Sequence, residues 1–265
     1  MGNHKISIRP GSYGPHALVA YEHINELGIQ FLELDAPGNP AFLKDMLEDD
    51  ELNFKIGSFV FPIETDDPTV IDRFKKTCEI CKNFEFEFFF SSTKTNGDFK
   101  KNREAGYKVL RELGDIAQSY GKFISMETHP PFCTNADEML RTMQGVNHPA
   151  VRINFDTANI YYYNKLKIGG GISEMEKVIK SIGSLHLKQS NGKPKTWFFP
   201  EFSDPEGIVD FKKVFDIMDA AGFQGIYTIE MEGTKKLPLN KLTMDQAKLN
   251  VKKTIDHLKQ LGVME

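Results

Sequence analysis

The sequence lacks a long apolar run and an excess of positive charge. Its longest apolar stretch, residues 84–90 (FEFEFFF), is interrupted by Glu85 and Glu87 and falls short of the roughly 18 residues that a membrane-spanning helix needs. Lys and Arg number 33 against 37 Asp and Glu, a formal net charge of −4, so the chain lacks the basic surface that attracts nucleic acid or an anionic membrane. We therefore expect neither as a partner.

Cysteine is also scarce, with only Cys78, Cys81 and Cys133. An odd and sparse count argues against a disulfide framework. Cys78 and Cys81 have the C-x-x-C spacing of some redox and metal motifs, but they lie inside a helical pattern without a second pair. We interpret them as two residues on one face of a helix. The N-terminus shows no charged segment followed by an apolar one, so no secretory signal is visible and we expect a cytoplasmic protein.

What the sequence does contain is a regular alternation of strand-like and helical segments. Eight segments have the apolar and β-branched character of strands. They are residues 5–10, 30–36, 54–61, 84–92, 123–129, 151–157, 184–189 and 226–232. Helical periodicity fills the intervals between them. The helical segments are residues 15–28, 40–48, 67–84, 103–121, 135–146, 173–183, 209–223 and 243–262.

This alternation predicts an α/β fold with a parallel sheet, because each strand is followed by a helix that crosses back over the sheet. Eight repeats permit closure into a barrel, and about 250 residues is a usual length for one. The competing doubly wound sheet normally has a glycine-rich phosphate loop after its first strand; residues 9–14 (RPGSYG) do not fit that pattern. We predict a single (β/α)8 TIM barrel over residues 1–265.

Four consecutive strand segments each end near one candidate metal ligand. These are Glu127, Asp156, His186 and Glu230. Residues at the carboxyl ends of barrel strands face a common site. The apolar neighbours of these residues favour the same orientation, since adjacent side chains of a strand point to opposite faces.

Three carboxylates in one small space would repel each other, whereas a divalent cation would offset their charge. Three carboxylates and one imidazole suit Mn²⁺, Mg²⁺, Co²⁺ or Zn²⁺, and the oxygen-rich set favours Mn²⁺. A single glutamate at a strand end is more often a salt-bridged residue, and a single buried histidine more often belongs to the core. The metal hypothesis therefore depends on all four residues together.

At these positions the chain resembles the xylose isomerase-like barrel superfamily, in its sugar phosphate isomerase/epimerase branch. The resemblance rests on residues 27–34, 124–131 (ISMETHPP), 153–159 (INFDTAN), 184–189 (SLHLKQ) and 200–233. It implies that Glu127, Asp156, His186 and Glu230 hold the metal and that Glu127 and Glu230 are the catalytic acid and base. A metal-polarised carbonyl acidifies the neighbouring C–H bond, so one carboxylate can remove that proton and the other can return it.

Two positions depart from the pattern of the superfamily. Asn159 stands where relatives have a histidine that orients the substrate, and Gly192 stands where ketose 3-epimerases have an arginine. Both departures put a standard ketose epimerase in doubt. Endonuclease IV, a distant member, needs three zinc ions and more histidines than these strand ends offer, so DNA repair is not expected.

Four further residues are candidates for substrate binding: His129, Asn159, Lys188 and Trp197. His129 follows Glu127 by two residues and could bind substrate or only cap its loop. Lys188 has the same relation to His186 and could stabilise an anionic oxygen or form a structural ion pair. Trp197 lies in the insertion 191–202, which could be a lid stacked on a sugar or a buried plug. Tyr161, Tyr162 and Tyr163 are further candidates to line the pocket.

Three functions remain open at this stage. The first is a metal-dependent isomerase or epimerase acting on a keto sugar or related polyol. The second is a metal-dependent lyase that performs inosose-type dehydration or β-elimination from a 3-keto-glycoside, since it shares the first proton abstraction. The third is a sugar-binding barrel without catalysis. The expected partner is a small carbohydrate, and the sequence is compatible with a homo-oligomer.

Overall fold

The structure, a computed structural model, describes residues 4–38, 40–48 and 51–264, without the side chain of Phe42. Eight parallel strands close into a barrel in the spatial order β1-β8-β7-β6-β5-β4-β3-β2. The strands are β1 (Lys5–Ile8), β2 (Phe31–Asp35), β3 (Lys55–Val60), β4 (Phe88–Ser91), β5 (Phe123–Glu127), β6 (Val151–Asp156), β7 (Ile182–Leu187) and β8 (Ile226–Ile229). The predicted (β/α)8 TIM barrel is confirmed.

Helices surround this barrel and cover the outward faces of its strands. They are α1 (Tyr21–Glu26), α2 (Ala41–Leu47), α3 (Val70–Cys81), α4 (Phe99–Ser119), α5 (Ala136–Val146), α6 (Asn159–Tyr163), α7 (Gly170–Val178), α8 (Phe211–Ala220) and α9 (Met244–Gln260). The main apolar core lies between the helices and the strands. Within the described residues, no helix is both long enough and apolar enough to cross a membrane.

Side-chain caps fix several helix starts. Asn135 accepts a hydrogen bond from the backbone N–H of Glu138 at 3.0 Å, as an N-cap residue does. Asp98 caps α4 in the same manner, so this helix begins at Phe99 rather than at the predicted residue 103. Cys78 and Cys81 are buried on α3, which agrees with their interpretation as a helix face.

Two predicted segments are wrong near their ends. The segment 84–92 pairs as a strand only over Phe88–Ser91, because the Phe84 N–H closes the turn after α3 onto the Cys81 carbonyl. The segment 15–28 is not one helix. The residues Pro10–Val19 form 3₁₀-helical turns that are interrupted by a kink at Gly14, and α1 follows. Gly14 has a φ of 60°, and a Cβ at this position would meet the Leu239 carbonyl oxygen at 2.4 Å.

Two short strand pairs lie outside the barrel, at its carboxyl end. Ile63–Glu64 pairs in parallel with Thr93–Lys94. Phe198–Phe199 pairs antiparallel with Gly233–Thr234. These pairs connect the loop after β3 to the loop after β4, and the loop after β7 to the loop after β8. They therefore shape the wall around the barrel mouth.

Candidate active site

The four predicted ligands converge at the carboxyl end of the barrel. Glu127 ends β5, Asp156 ends β6, His186 lies one residue before the end of β7, and Glu230 directly follows β8. Asp156 and His186 are register partners, and the Glu230 N–H donates to the Leu187 carbonyl at 3.0 Å. One ligand atom from each of the four residues lies within 4.8 Å of the others.

Their apolar neighbours face the helices, as the sequence pattern predicts. Met126, Phe155, Leu185 and Ile229 are all buried members of the main core. Because neighbouring side chains of a strand point to opposite faces, the residue next to each of them is directed into the barrel. The alternation of apolar and polar residues therefore orients the ligand set.

The two carboxylate oxygens of Asp156 have different contacts. Oδ1 accepts the backbone N–H groups of Ala158 and Asn159, each at 2.8 Å, and so fixes the start of α6. Oδ2 is buried and accepts no hydrogen bond within the described residues. The Lys188 ammonium lies 3.2 Å from it. A buried carboxylate oxygen without a hydrogen bond is an uncommon feature that a bound cation would satisfy.

His186 is held between two carboxylates. Its Nδ1 lies 3.2 Å from Glu230 Oε2, and its Nε2 lies 3.1 Å from Glu33 Oε1. Phe90 stacks on the imidazole with 4.3 Å between ring centroids. Burial acts to lower the pKa of His186, but the two carboxylates outweigh it and raise the pKa well above its usual value.

Lys188 lies directly after β7, and its ammonium is buried among carboxylates. Nζ is 2.6 Å from Glu230, 2.9 Å from Glu232 and 3.2 Å from Asp156. It also lies 5.0 Å from the ring centroid of Phe199. Burial acts to raise the pKa of Glu230, yet the charges of Lys188 and His186 hold that pKa well below its usual value. Glu230 is therefore a carboxylate at neutral pH.

The electrostatic environment of Glu127 shifts its pKa in the opposite direction to that of Glu230. Burial and the nearby Glu230 carboxylate raise the pKa of Glu127 to about 8. The Asn159 side-chain amide donates to Glu127 Oε1 at 2.9 Å. The site thus contains two glutamates whose proton affinities differ, with Asn159 holding the more basic one in place.

The residues present fit a divalent cation. Three carboxylates and one imidazole form the donor set, and oxygen-rich sets of this kind suit Mg²⁺ or Mn²⁺. Asp156 Oδ2 accepts no hydrogen bond within the described residues, so it can serve as a ligand atom beside the Lys188 ammonium. The Glu33 carboxylate on the far side of His186 supplies the outer hydrogen-bond partner that metal-binding histidines commonly have.

A cavity of about 280 Å³ opens beside the ligand cluster. All four predicted substrate-binding residues, His129, Asn159, Lys188 and Trp197, line it together with Glu127. The other lining residues are Ser92, Lys94, Tyr162, Tyr163, Phe199 and Glu232. The structure therefore places the substrate-binding candidates in one cavity, although their contacts with a substrate remain a prediction.

The sequence left alternative roles open for His129, for Trp197 and for the three tyrosines 161–163, and the structure shows the contacts of each. His129 lines the cavity and also contacts the Pro130 carbonyl with its Nδ1. Trp197 is 40% exposed, and its indole N–H donates to the Glu232 carbonyl at 3.1 Å. Tyr162 and Tyr163 line the cavity, whereas Tyr161 is buried and accepts the Gly171 N–H with its hydroxyl.

Four charged residues that lie near the ligand cluster or line the cavity were not among the candidates from the sequence. They are Glu33, Arg9, Lys94 and Glu232. Glu33 is 1% exposed and accepts a hydrogen bond from the Ser58 hydroxyl at 2.8 Å. Arg9 follows β1, and its Nη1 lies 3.3 Å from Glu230 Oε1. A charged residue inside the apolar strand segment FLEL is a signal that could have identified Glu33. The loop residue Lys94 carries no comparable signal.

Comparisons with known proteins agree with this geometry. The family model for xylose isomerase-like TIM barrels matches residues 22–261. An inosose dehydratase from Geobacillus thermodenitrificans is 27% identical over 137 residues. The match covers 46% of this chain and 45% of the relative, so the chain spans about half the length of the curated relatives it matches.

Two solved structures share the fold at low sequence identity. A xylose isomerase-like TIM barrel protein from Mycobacterium smegmatis, in complex with magnesium, has a TM-score of 0.71 and 15% identity, and the match covers 98% of this chain and 97% of that one. D-psicose 3-epimerase from Clostridium cellulolyticum, with D-tagatose, has a TM-score of 0.73 and 14% identity, and the match covers 98% of this chain and 100% of that one.

Proposed function

Because the chain belongs to the xylose isomerase-like TIM barrel family, we propose that it is a divalent-metal-dependent isomerase or epimerase of a keto sugar or related polyol. The convergence of Glu127, Asp156, His186 and Glu230 beside a substrate-sized cavity is the observation that carries the proposal. Magnesium is bound by one protein of this fold. The oxygen-rich donor set keeps Mn²⁺ as our preferred metal, with Mg²⁺, Co²⁺ and Zn²⁺ as alternatives.

The metal would polarise the substrate carbonyl and acidify the adjacent C–H bond. Glu127 and Glu230 would then exchange the proton. They come from β5 and β8, two strands that are separated by β6 and β7 in the barrel, and so they approach the site from different sides. One of the two carboxylates would remove the proton and the other would return it.

The surrounding residues would hold the substrate and limit access of water. Lys188 places its ammonium beside Glu230 and Asp156, where it can stabilise negative charge that develops on a substrate oxygen. Asn159 keeps the Glu127 carboxylate in one position. Trp197 and Tyr163 line the cavity with aromatic surface, on which a sugar ring can stack.

A lyase is the second candidate, and two observations favour it. The curated relatives reported above include an inosose dehydratase, to which the match covers about half of each chain. In addition, Gly192 has a φ of 73°, and a Cβ at this position would meet Ile208 Cδ1 at 2.7 Å, so the loop disfavours the arginine that ketose 3-epimerases have there. Product analysis separates the two reactions, because elimination gives an enone that absorbs ultraviolet light and epimerisation does not.

The deciding experiment is solvent deuterium uptake at carbon, measured over a panel of keto sugars and inososes. We expect Glu230→Gln to abolish the uptake while the circular dichroism spectrum stays that of the wild type, because the amide cannot accept the proton. Glu176→Gln, an exposed change on α7, is the matched control and keeps full uptake. Unchanged uptake in Glu230→Gln would refute its role in proton transfer, and absence of metal from the purified protein would contradict the proposed reaction.

A further inference from the structure

A second cavity, of about 370 Å³, opens at the same end of the barrel, beside the carboxyl ends of β1 and β2. This β1–β2 cavity is lined by Arg9, Glu33 and Asp35 and by apolar residues that include Leu18, Tyr21 and Leu43. The cavity that contains Trp197 is lined instead by residues at or beyond the ends of β4 to β8. Among the described residues the two linings have no member in common, so the barrel mouth offers two distinct spaces.

Two residues of this lining connect the β1–β2 cavity to the ligand cluster. Arg9 Nη1 lies 3.3 Å from Glu230 Oε1, and Glu33 Oε1 lies 3.1 Å from His186 Nε2. The backbone fixes Arg9 in this place, since its N–H donates to the Ile229 carbonyl at 3.1 Å. A substituent of a substrate that reacts at Glu230 is therefore within reach of this cavity.

The rest of the lining suits an apolar group. Besides the residues named above, Pro10, Ala17, Leu34 and Pro37 contribute to it. Leu18 is 77% exposed beside the cavity, and exposed apolar surface next to a recess is typical of a binding site. The hydroxyl groups of a free sugar would find few hydrogen-bond partners on such a surface, whereas an aromatic ring gains free energy when it leaves water.

The charged groups of the lining already have polar partners. Arg9 contacts Glu230, and its Nη2 lies 3.6 Å from Asp35. Glu33 faces His186 and accepts the Ser58 hydroxyl. These contacts favour an uncharged occupant, because an ionic group would compete with pairs that are already formed. A cavity of about 150 Å³ can hold benzene, so the larger β1–β2 cavity has room for a substituted ring.

We propose that the β1–β2 cavity binds an uncharged aromatic group attached to the sugar, so that the substrate is a keto-glycoside with an aromatic aglycone. The inference rests on the proposed function, since it assumes that the sugar reacts at Glu230. Contact with Tyr21 and burial against Leu34 and Leu43 would hold the ring. A free keto sugar would leave this apolar surface in water.

Paired glycosides that differ only in the aglycone test the proposal. Phenyl and methyl β-glycosides of D-glucose, D-galactose and D-xylose lack the carbonyl group and so do not react. Their Kd values are measured by ligand-observed NMR titration of the full-length protein loaded with Mg²⁺, a method that detects weak binding. In at least one pair we expect the phenyl glycoside to bind about 10- to 100-fold more tightly, because its ring is removed from water. Equal Kd values in every pair, or binding of neither member, would overturn the proposal.

Single variants assign the preference to this cavity. Leu18→Glu adds a charge beside it and Ala17→Trp fills it, so each should reduce the ratio of methyl to phenyl Kd about fivefold or more. Val19→Glu is the matched control, because Val19 is 66% exposed and is not among the lining residues; it should keep the ratio. A ratio that neither Leu18→Glu nor Ala17→Trp reduces, or that Val19→Glu reduces equally, would contradict the assignment.

Failure of the reaction and failure of the aglycone site give different results. A phenyl preference without deuterium uptake from any keto sugar would contradict the reaction and leave the aglycone site standing. Deuterium uptake with equal binding of the paired glycosides would contradict the aglycone site alone. A dimer in light scattering that Leu18→Glu dissociates, together with equal binding of the pairs, would assign this surface to a second copy of the chain instead.

Discussion

At the scale of single residues, the contact between His186 and Glu33 decides which imidazole nitrogen is available to a metal. Nδ1 faces the ligand Glu230, and Nε2 faces Glu33. To bind a cation the imidazole must be neutral, and a proton kept on Nε2 and donated to Glu33 would leave the lone pair of Nδ1 for the metal. The Ser58 hydroxyl donates to Oε2 of the same Glu33 carboxylate at 2.8 Å. We therefore propose that Glu33 positions His186 for the metal.

Glu33→Gln tests this arrangement. The amide can still occupy the space, but it no longer presents a charged acceptor to Nε2–H, so we expect Mn²⁺ affinity to fall about 10- to 100-fold. Isothermal titration calorimetry of the metal-free protein measures the change, and Glu176→Gln again serves as the exposed control. An Mn²⁺ Kd equal to that of the wild type would show that Glu33 does not orient His186.

Individual site residues were predictable to different degrees. Glu127, Asp156, His186 and Glu230 could be found because each follows an apolar neighbour at the end of a strand. Glu33 lies in the middle of a strand on the other side of the barrel, and only closure of the barrel brings it to His186. The contacts of Lys188 with three carboxylates depend on side-chain packing, which the order of residues does not specify.

At the scale of elements, glycines allow α4 and α5 to approach each other closely. A Cβ at Gly145 of α5 would lie 2.1 Å from Cε2 of Tyr107, a buried residue of α4. Arg111 of α4 donates to the Gly145 carbonyl at 2.6 Å. The contact between the two helices therefore depends on the absence of a side chain at position 145.

Gly145→Ala should destabilise the protein by about 1–3 kcal/mol, because the added methyl group forces Tyr107 out of its position. Gln144→Ala, an exposed substitution on the same helix, is the control and should change stability little. Urea unfolding followed by circular dichroism measures both. A gain in stability, as expected for alanine in an unobstructed helix, would show that the two helices separate without cost.

Local sequence patterns predicted which elements exist better than where they end. A run of three glycines is typical of a flexible turn, yet Gly169 is the N-cap of α7, and Gly170 and Gly171 lie inside the helix. A Cβ at Gly171 would meet the Tyr161 ring at 2.7 Å, so a contact distant in sequence explains that glycine. The strand predicted at 184–189 is β7 (Ile182–Leu187), which leaves Lys188 just beyond its end.

At the scale of the whole molecule, the four ligands come from four consecutive strands, β5 to β8, that form half of the barrel. A metal held by all four would connect these strands at one end. A ligand that binds only the folded state raises stability by RT ln(1 + [L]/Kd), or about 2.7 kcal/mol at a concentration of 100 Kd. Metal binding should therefore stabilise the barrel as a unit.

We accordingly expect Mn²⁺ to raise the Tm of the wild-type protein relative to protein kept in a chelator, and to raise it less in Asp156→Asn. Differential scanning calorimetry gives both values. The shift should disappear at metal concentrations far below Kd. A wild-type Tm that is the same in Mn²⁺ and in chelator would rule out a site shared by the four strands.

The closed barrel itself was predictable, because eight strand-like segments alternate with helices and each repeat carries its own apolar pattern. The two short strand pairs outside the barrel were not. Phe198–Phe199 meets Gly233–Thr234 across more than 30 residues of chain, and two-residue strands leave no periodic pattern. Pairings of this length depend on how the loops meet after the barrel has closed.

The pairing of Phe198–Phe199 with Gly233–Thr234 has a consequence for protein engineering. The Glu232 N–H donates to the Phe199 carbonyl and the Lys235 N–H to the Trp197 carbonyl, both at 3.2 Å. The segment that carries Trp197 is thus attached to the chain just beyond Glu230. A designer who transplants residues 191–202 into a related scaffold, in order to transfer selectivity, should transplant residues 231–238 with them as a single cassette.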